Sequence, residues 1–112
     1  MIVGVALFEL HIEHSRSLKE KRSIVRSVRD RLRARFNLAV AEVGLNELHQ
    51  RARLAVSLIA LHHAAAEEQL RLVASFVEET SDALLSGWTE ELFDFDAEAN
   101  LGIPNIGWKE ES

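Results

Sequence analysis

Apolar residues follow a two-residue period along some stretches of this chain and a helical period along others. Residues 2–14 alternate, which predicts a strand with one face fully buried and a second face that turns from apolar to polar partway along. Residues 38–44 and 51–61 predict two further strands, and the alternation of residues 90–98 predicts a fourth.

Two segments carry the helical pattern. The first begins at Ser17, because Ser17 and Glu20 form an S-x-x-E capping box in which each side chain is expected to accept a bond from the other residue's backbone N–H. Its apolar stripe ends just before Asn37, a residue that tolerates the conformation found after helices. The second helix is predicted over residues 64–85, with residues 86–87, Ser-Gly, as its break.

The order βαββαβ predicts a ferredoxin-like α+β fold, with a four-stranded antiparallel sheet and two helices on one face. The chain has 112 residues, which suggests one domain, and 47% hydrophobic residues, which excludes global disorder. We expect a single domain over residues 1–98 and a C-terminal tail over 99–112 that is loop or partly disordered. The absence of Cys excludes disulfides, thiolate metal sites and a cysteine nucleophile.

Charge is distributed very unevenly along the chain. Residues 16–35 hold nine Lys or Arg and two acids, a net charge of +7, whereas the whole chain has a formal charge of −5. Such a local sign reversal indicates a binding surface, because charge distribution governs partners more than it governs fold.

Five of these cations lie on one side of the predicted first helix, within about 80° of one another at about 100° per residue. We call this set the basic ridge, and it consists of Lys19, Arg22, Arg26, Arg29 and Arg33. The ridge flanks the buried stripe and predicts a polyanion-binding site, with RNA or the ribosome as the natural partner. Two alternatives stay open. One is a protein partner with an acidic face; the other is neutralisation by acids of the same fold or dimer, for which the candidates are Glu42, Glu47, Glu78, Glu79, Asp94 and Asp96.

The start of the first helix is a second candidate site, because free backbone N–H groups and the helix dipole favour an anion there. The residues predicted to hold a phosphate or sulfate are Ser15, Ser17, Lys19, Lys21 and Arg22. Lys21 falls near the middle of the apolar stripe, so we expect its stem to pack against the core and its ammonium to reach water.

The sheet face without helices is predicted to expose an apolar patch, which usually marks an interface. The predicted homodimer interface consists of Val3, Val5, Leu7, Ala55 and Ile59. Covering of this patch by the C-terminal tail, with Ile103, Ile106 and Trp108, is the alternative. None of the outer positions expected on strands 1 and 3 is aromatic, and the Phe residues fit buried positions, so base stacking on the sheet is not expected.

The sequence does not predict a catalytic residue, a metal site or a cofactor, and we expect a protein that is not an enzyme. The five His show no metal-ligand spacing, and no nucleophile, phosphate or dinucleotide motif is present.

The N-terminus lacks the features of a signal peptide, and no apolar run reaches the ~18 residues that span a bilayer. We therefore expect a cytoplasmic protein without a membrane partner.

The segment SLKEKRSIVRSVRDRLRARFNLAVAEVG, with the later LHQRARLAV, resembles the YlxP-like family, a bacterial group named as a domain of unknown function. Its most specific elements are S-L-K-E-K-R at residues 17–22 and F-N-x-x-V-A-E-V at residues 36–43. The resemblance covers about residues 1–80 and implies a ferredoxin-like fold, a cytosolic protein and genes near those for translation initiation and ribosome maturation. It implies no catalytic residue. The chain differs in carrying His49 where many relatives have an aromatic residue, and in its tail.

Overall fold

The computed structural model describes residues 1–80 and 82–102. Its helices and strands are β1 Ile2–His11, α1 Leu18–Arg35, β2 Ala39–Gly44, β3 Arg51–Ala60, α2 His63–Glu78 and β4 Leu84–Asp94. The four strands form one sheet in the order β2-β3-β1-β4, and every pair of neighbours is antiparallel. This arrangement confirms the predicted ferredoxin-like α+β fold.

The core lies between the sheet and the two helices. Alternate residues of β1 are buried, and Phe8 at 1% exposure packs in the same cluster as Leu54 of β3, Val28 of α1 and Leu70 of α2. Trp88 of β4 stacks on Phe8 with 5.4 Å between ring centroids. Full burial of each such side chain stabilises the fold by roughly 1.5–3 kcal/mol. Contacts of this kind hold both helices against the same face of the sheet.

The largest differences from the sequence prediction lie in the second helix and the fourth strand, and the first strand ends at His11 instead of residue 14. The second helix ends at Glu78 instead of residue 85, and the fourth strand occupies Leu84–Asp94 instead of residues 90–98. Leu84 and Leu85 continue an apolar helical pattern, but β1 supplies them with strand partners, since Leu85 pairs with Leu10. The Ser-Gly pair at 86–87, predicted as a helix break, instead lies inside β4 at a register shift, where a bulge accepts an extra residue.

The chain beyond β4 begins at the same end of the sheet as the N-terminus. The backbone N–H of Phe95 donates to the carbonyl of Met1 at 2.8 Å, and residues 95–102 contain no helix or strand. Residues 103–112, and with them the predicted covering of the sheet by Ile103, Ile106 and Trp108, lie outside the described residues. The domain boundary at residue 98 therefore stays a prediction. Among the described residues, no helix is both long and apolar enough to cross a bilayer.

Candidate functional site

Helix α1 is fixed at its first turn by a cap that matches the predicted position but not every predicted partner. The hydroxyl of Ser17 accepts from the backbone N–H of Glu20 at 3.1 Å, as predicted. The Glu20 carboxylate accepts from the N–H of Arg16 at 3.0 Å instead of from that of Ser17. The carboxylate also lies at the positive end of the helix dipole, which stabilises the start of α1.

The basic ridge lies where the helical period places it. Val25, Val28 and Leu32 face the core, and the ridge flanks them on the surface of α1. Four ridge side chains are exposed, and Arg29 is half-buried. The buried Nε of Arg29 has no hydrogen-bond partner.

Arg33 shows which side of the sheet the ridge borders. Its Nη2 donates to the carbonyl of Val40 in β2 at 3.2 Å, and β2 is an edge strand. A cation over an edge carbonyl also protects that edge from pairing with another chain. The ridge flanks the apolar stripe as the helical period predicts, and its Arg33 end borders the β2 edge of the sheet.

The ridge forms no ion pair within the part of the chain that the structure describes. Within residues 1–80 and 82–102, no carboxylate oxygen lies within 4.0 Å of a charged nitrogen of the five ridge residues. Of the acids proposed to neutralise it, Glu42 pairs with Lys21 and Asp94 lies 4.0 Å from the N-terminal amine. These two acids therefore do not pair with the ridge within one subunit, and neutralisation by a second subunit stays a prediction.

Lys21 corrects a prediction. Its side chain is only 1% exposed, and its ammonium donates to the carbonyls of Leu45 at 2.8 Å, Asn46 at 3.3 Å and Arg51 at 3.2 Å. Three donors satisfy three acceptors, so the ammonium is held inside the fold and does not reach water. The Oε2 of Glu42 lies 3.2 Å away without a hydrogen bond of its own, so this contact is electrostatic.

The predicted anion site at the helix start is correspondingly reduced. Ser15 is buried, and its hydroxyl donates to the carbonyl of Ser17 at 3.0 Å. Ser17 serves as the cap and Lys21 clamps the β2–β3 loop, because the fold uses these groups to satisfy its own backbone. Lys19 and Arg22 alone remain as exposed cations of the set, and both belong to the ridge.

The face of the sheet opposite the helices carries all the residues predicted for a dimer interface. Ile59 is 67% exposed and Leu7 38%, while Val3, Val5 and Ala55 are partly exposed. Shallow depressions of about 330, 440 and 210 Å³ lie on this outer face. These five residues thus form an apolar surface that no helix of the described chain covers.

Phe93 is a member of this face that sequence reasoning missed. It pairs with Val3 across the sheet and is 50% exposed, and Phe95 is 59% exposed, so the expectation that the Phe residues are buried is wrong for both. Leu92 packs against the core instead. The alternation of Leu92 and Phe93 was visible in the sequence, but only the pairing with β1 determines which of them faces inward.

Charges on the outer face lie at two positions. Near one end, the same Oε1 of Glu9 is 2.7 Å from Arg51 and 3.6 Å from Arg53, so two guanidinium groups share one carboxylate. Glu91 of β4 is exposed beside Val5, and no cation of the described chain lies within 4.0 Å of it. The face therefore carries a surplus positive charge at one position and a surplus negative charge at another.

A separate exposed ion pair joins Glu68 and Arg71 on α2. Arg71 Nε donates to Glu68 Oε1 at 3.1 Å, and a second bond from Nη2 makes the contact bidentate. The hydrogen bonds and charge of Arg71 hold the pKa of Glu68 below its ordinary value, and Glu68 raises the pKa of Arg71. This pair engages the only Lys or Arg of α2, so the free cations of the described helices lie on α1.

The described residues contain no group of three or more His, Asp or Glu side chains placed to hold a metal ion. The depression beside β1 and β4 that contains His11 and His14 also contains Glu78 and Asp82, and has a volume of about 300 Å³.

Comparisons with known proteins show similarity to a family whose description assigns no function. The sequence profile of the family described as "Protein of unknown function (DUF503)" matches residues 3–88. The chain is also similar to a Bacillus subtilis (strain 168) protein named "Uncharacterized protein YlxP", with 27% identity over 77 residues, covering 69% of this chain and 84% of the relative. The region that the family profile matches contains both helices and the outer sheet face as far as Trp88.

Proposed function

We propose, for a chain that belongs to the DUF503 family of proteins of unknown function, that helix α1 binds RNA through its basic ridge. The protein would be a non-enzymatic cytoplasmic RNA-binding protein, with ribosomal RNA as its target. The observation that carries this proposal is that no carboxylate of the described residues pairs with the ridge.

The energetics of the ridge support a ligand of opposite charge. Like charges at i,i+4 on a helix destabilise it by roughly 0.2–0.5 kcal/mol per pair, and the ridge contains two such pairs, Arg22–Arg26 and Arg29–Arg33. No acid of the described chain lies within 4.0 Å of a charged nitrogen of the ridge to offset this repulsion with an ion pair. A phosphate backbone would offset it, because it places negative charges along the length of the helix.

The chemistry of the ridge favours contact with phosphates over contact with bases. Its members are Lys and Arg only, spread over about 21 Å of helix at about 1.5 Å per residue. Phosphate contacts fix position and orientation but do not read sequence. Binding should therefore be strongly salt-dependent, with a slope of roughly −0.7 to −0.9 per phosphate neutralised, and should depend little on base sequence.

The test is binding of ribosomal RNA fragments by fluorescence anisotropy across a series of salt concentrations. We expect Arg22→Gln/Arg26→Gln to weaken binding to every RNA and to reduce the salt slope by about 2, one for each lost phosphate contact. These two exposed residues make no intramolecular ion pair in the described chain, so the fold should be unaffected.

The matched control is Arg31→Gln/Arg35→Gln, which removes the same charge from two exposed α1 residues that lie outside the ridge and form no ion pair in the described chain. It should change affinity and salt slope much less. Equal losses for both variants would show that only net charge matters, and absence of salt-sensitive binding by the natural chain would overturn the proposal.

A second candidate function is a structural or regulatory protein-interaction module, which the exposed apolar sheet face favours. Co-sedimentation with ribosomal subunits separates the two. The RNA proposal predicts association that decreases steeply with salt and requires Arg22 and Arg26. If the protein is an interaction module, any association with ribosomal subunits should depend on Leu7 and Ile59 and change little with salt.

A further inference from the structure

The outer sheet face carries a pattern of charge that is complementary to itself. Arg53 is paired in register with Glu9 of β1, and Glu91 is paired in register with Val5 of β1. Strand β1 lies between β3, which carries Arg53, and β4, which carries Glu91. Leu7 is therefore the midpoint between the surplus positive charge and the unpaired negative charge on this face.

We infer that two copies of this chain pack face to face through their outer sheet surfaces, about a two-fold axis that passes over Leu7. The axis lies in the plane between the two sheets and passes over Leu7. It is perpendicular to the line from Arg53 to Glu91, so a rotation of 180° exchanges those two positions. It therefore places Arg53 of each copy over Glu91 of the other, twice, and brings the two Leu7 side chains together. Such an isologous contact closes on itself and forms a dimer instead of a fibre.

The exposed fractions of Leu7 and Arg53 agree with a second copy packing on this face. Leu7 is 38% exposed and Arg53 40%, so each side chain packs partly against its own chain and remains partly accessible to a second copy. Arg53 competes with Arg51 for one oxygen of Glu9, and at 3.6 Å its contact is the longer of the two. Arg53 can thus pair with a second carboxylate while Arg51 keeps Glu9 neutralised. Around these charges the face is apolar, with Val3, Val5, Ile59 and Phe93 available for burial.

A second copy fits this face because its Glu91 supplies a carboxylate for Arg53 and its Arg53 supplies a guanidinium for Glu91.

The test is a pair of charge reversals combined by mixing. Arg53→Glu and Glu91→Arg should each be monomeric in sedimentation equilibrium, because each homodimer would contain two like-charged contacts. An equimolar mixture should form a heterodimer. In it, the carboxylate introduced at position 53 of one chain meets the guanidinium introduced at position 91 of the other, and the unchanged Glu91 and Arg53 meet at the second contact. Restoration by mixing also shows that both variants are folded.

The control is Arg71→Glu, an equal charge reversal on exposed α2, which should leave the natural dimer unchanged. Leu7→Cys provides a second readout, because the chain contains no Cys. A short bismaleimide should cross-link Leu7→Cys efficiently and a Gln69→Cys control on α2 poorly. A natural chain that is monomeric at all concentrations, or a dimer that neither reversal disturbs, would overturn the inference. A mixture that stays monomeric while both variants give natural circular dichroism would also overturn it.

Discussion

Lys21 illustrates what a residue pattern can and cannot predict. The helical period correctly places it on the buried stripe of α1, among Val25, Val28 and Leu32. A charged residue at such a position usually extends its head group to water. Here the head group is held by carbonyls 24 to 30 residues away in sequence, two in the loop after β2 and one at the start of β3. The sequence does not specify the path of that loop. The loop includes Leu45 at a φ of 60°, an unusual value for a bulky residue that the clamp helps to hold.

Replacing Lys21 by Met should be strongly destabilising. The change leaves three carbonyls without their donor and the carboxylate of Glu42 without its cation, and breaking a buried pair in this way costs about 3–5 kcal/mol. Urea denaturation measures the loss. The double variant Lys21→Met/Glu42→Gln should be less destabilised than Lys21→Met, because it removes the uncompensated charge.

The control for Lys21 is its neighbour Lys19, which is exposed and unpaired within the described residues. Lys19→Met should change the free energy of unfolding by no more than about 0.5 kcal/mol. A Lys21→Met variant as stable as Lys19→Met would contradict the proposed role of the clamp.

The exposed pair of Glu68 and Arg71 gives a residue-scale prediction about pH. Because Arg71 holds the pKa of Glu68 below 4.5, the folded state binds that proton less readily than the unfolded state. The stabilisation from this pair is therefore present above pH 4.5 and is lost as the pH falls through the lowered pKa. An NMR titration of the Glu68 carboxyl carbon should show the low pKa, and Arg71→Gln should return it to the ordinary value. High salt should reduce the difference between the two proteins, since the pair is exposed.

At the scale of the element, the start of α1 was predictable and the end of α2 was not. The capping box is a local signal, and Ser17 caps the helix as its sequence indicates. The boundary between α2 and β4 depends on pairing with β1, which is distant in sequence, so a helical period extended through Leu84 and Leu85 gave the wrong boundary. Local hydrogen bonds can be inferred from neighbouring residues, whereas a strand partner cannot.

The cap allows a direct measurement of how firmly α1 is fixed. Ser17→Ala removes the acceptor for the Glu20 N–H and should lower the free energy of unfolding by about 1 kcal/mol. Ser23→Ala, at an exposed position in the same helix, should have little effect or a slightly stabilising one, since Ala favours helix. Chemical denaturation of both variants measures the difference, and equal stabilities would show that the cap contributes nothing.

At the scale of the whole molecule, the sequence predicts the topology and the location of the ridge, because both follow from periodicity. It does not predict whether acids approach the ridge, since that depends on where strands and loops place Glu42 and Asp94 in space. The placement of Arg53 and Glu91 on opposite sides of Leu7 is likewise visible only once the strand order and register are known. The mixing experiment therefore tests the assembled sheet as a unit.

Both helices pack on one side of the sheet, and this has a consequence for the assembly that the outer face would build. A four-layer particle, helix–sheet–sheet–helix, would carry its two α1 helices on opposite exteriors, about 30 Å apart at a layer spacing of about 10 Å. Such a particle would be bivalent, so it could bridge two separate arms of one folded RNA. The gain in avidity would then depend on how far apart those arms lie.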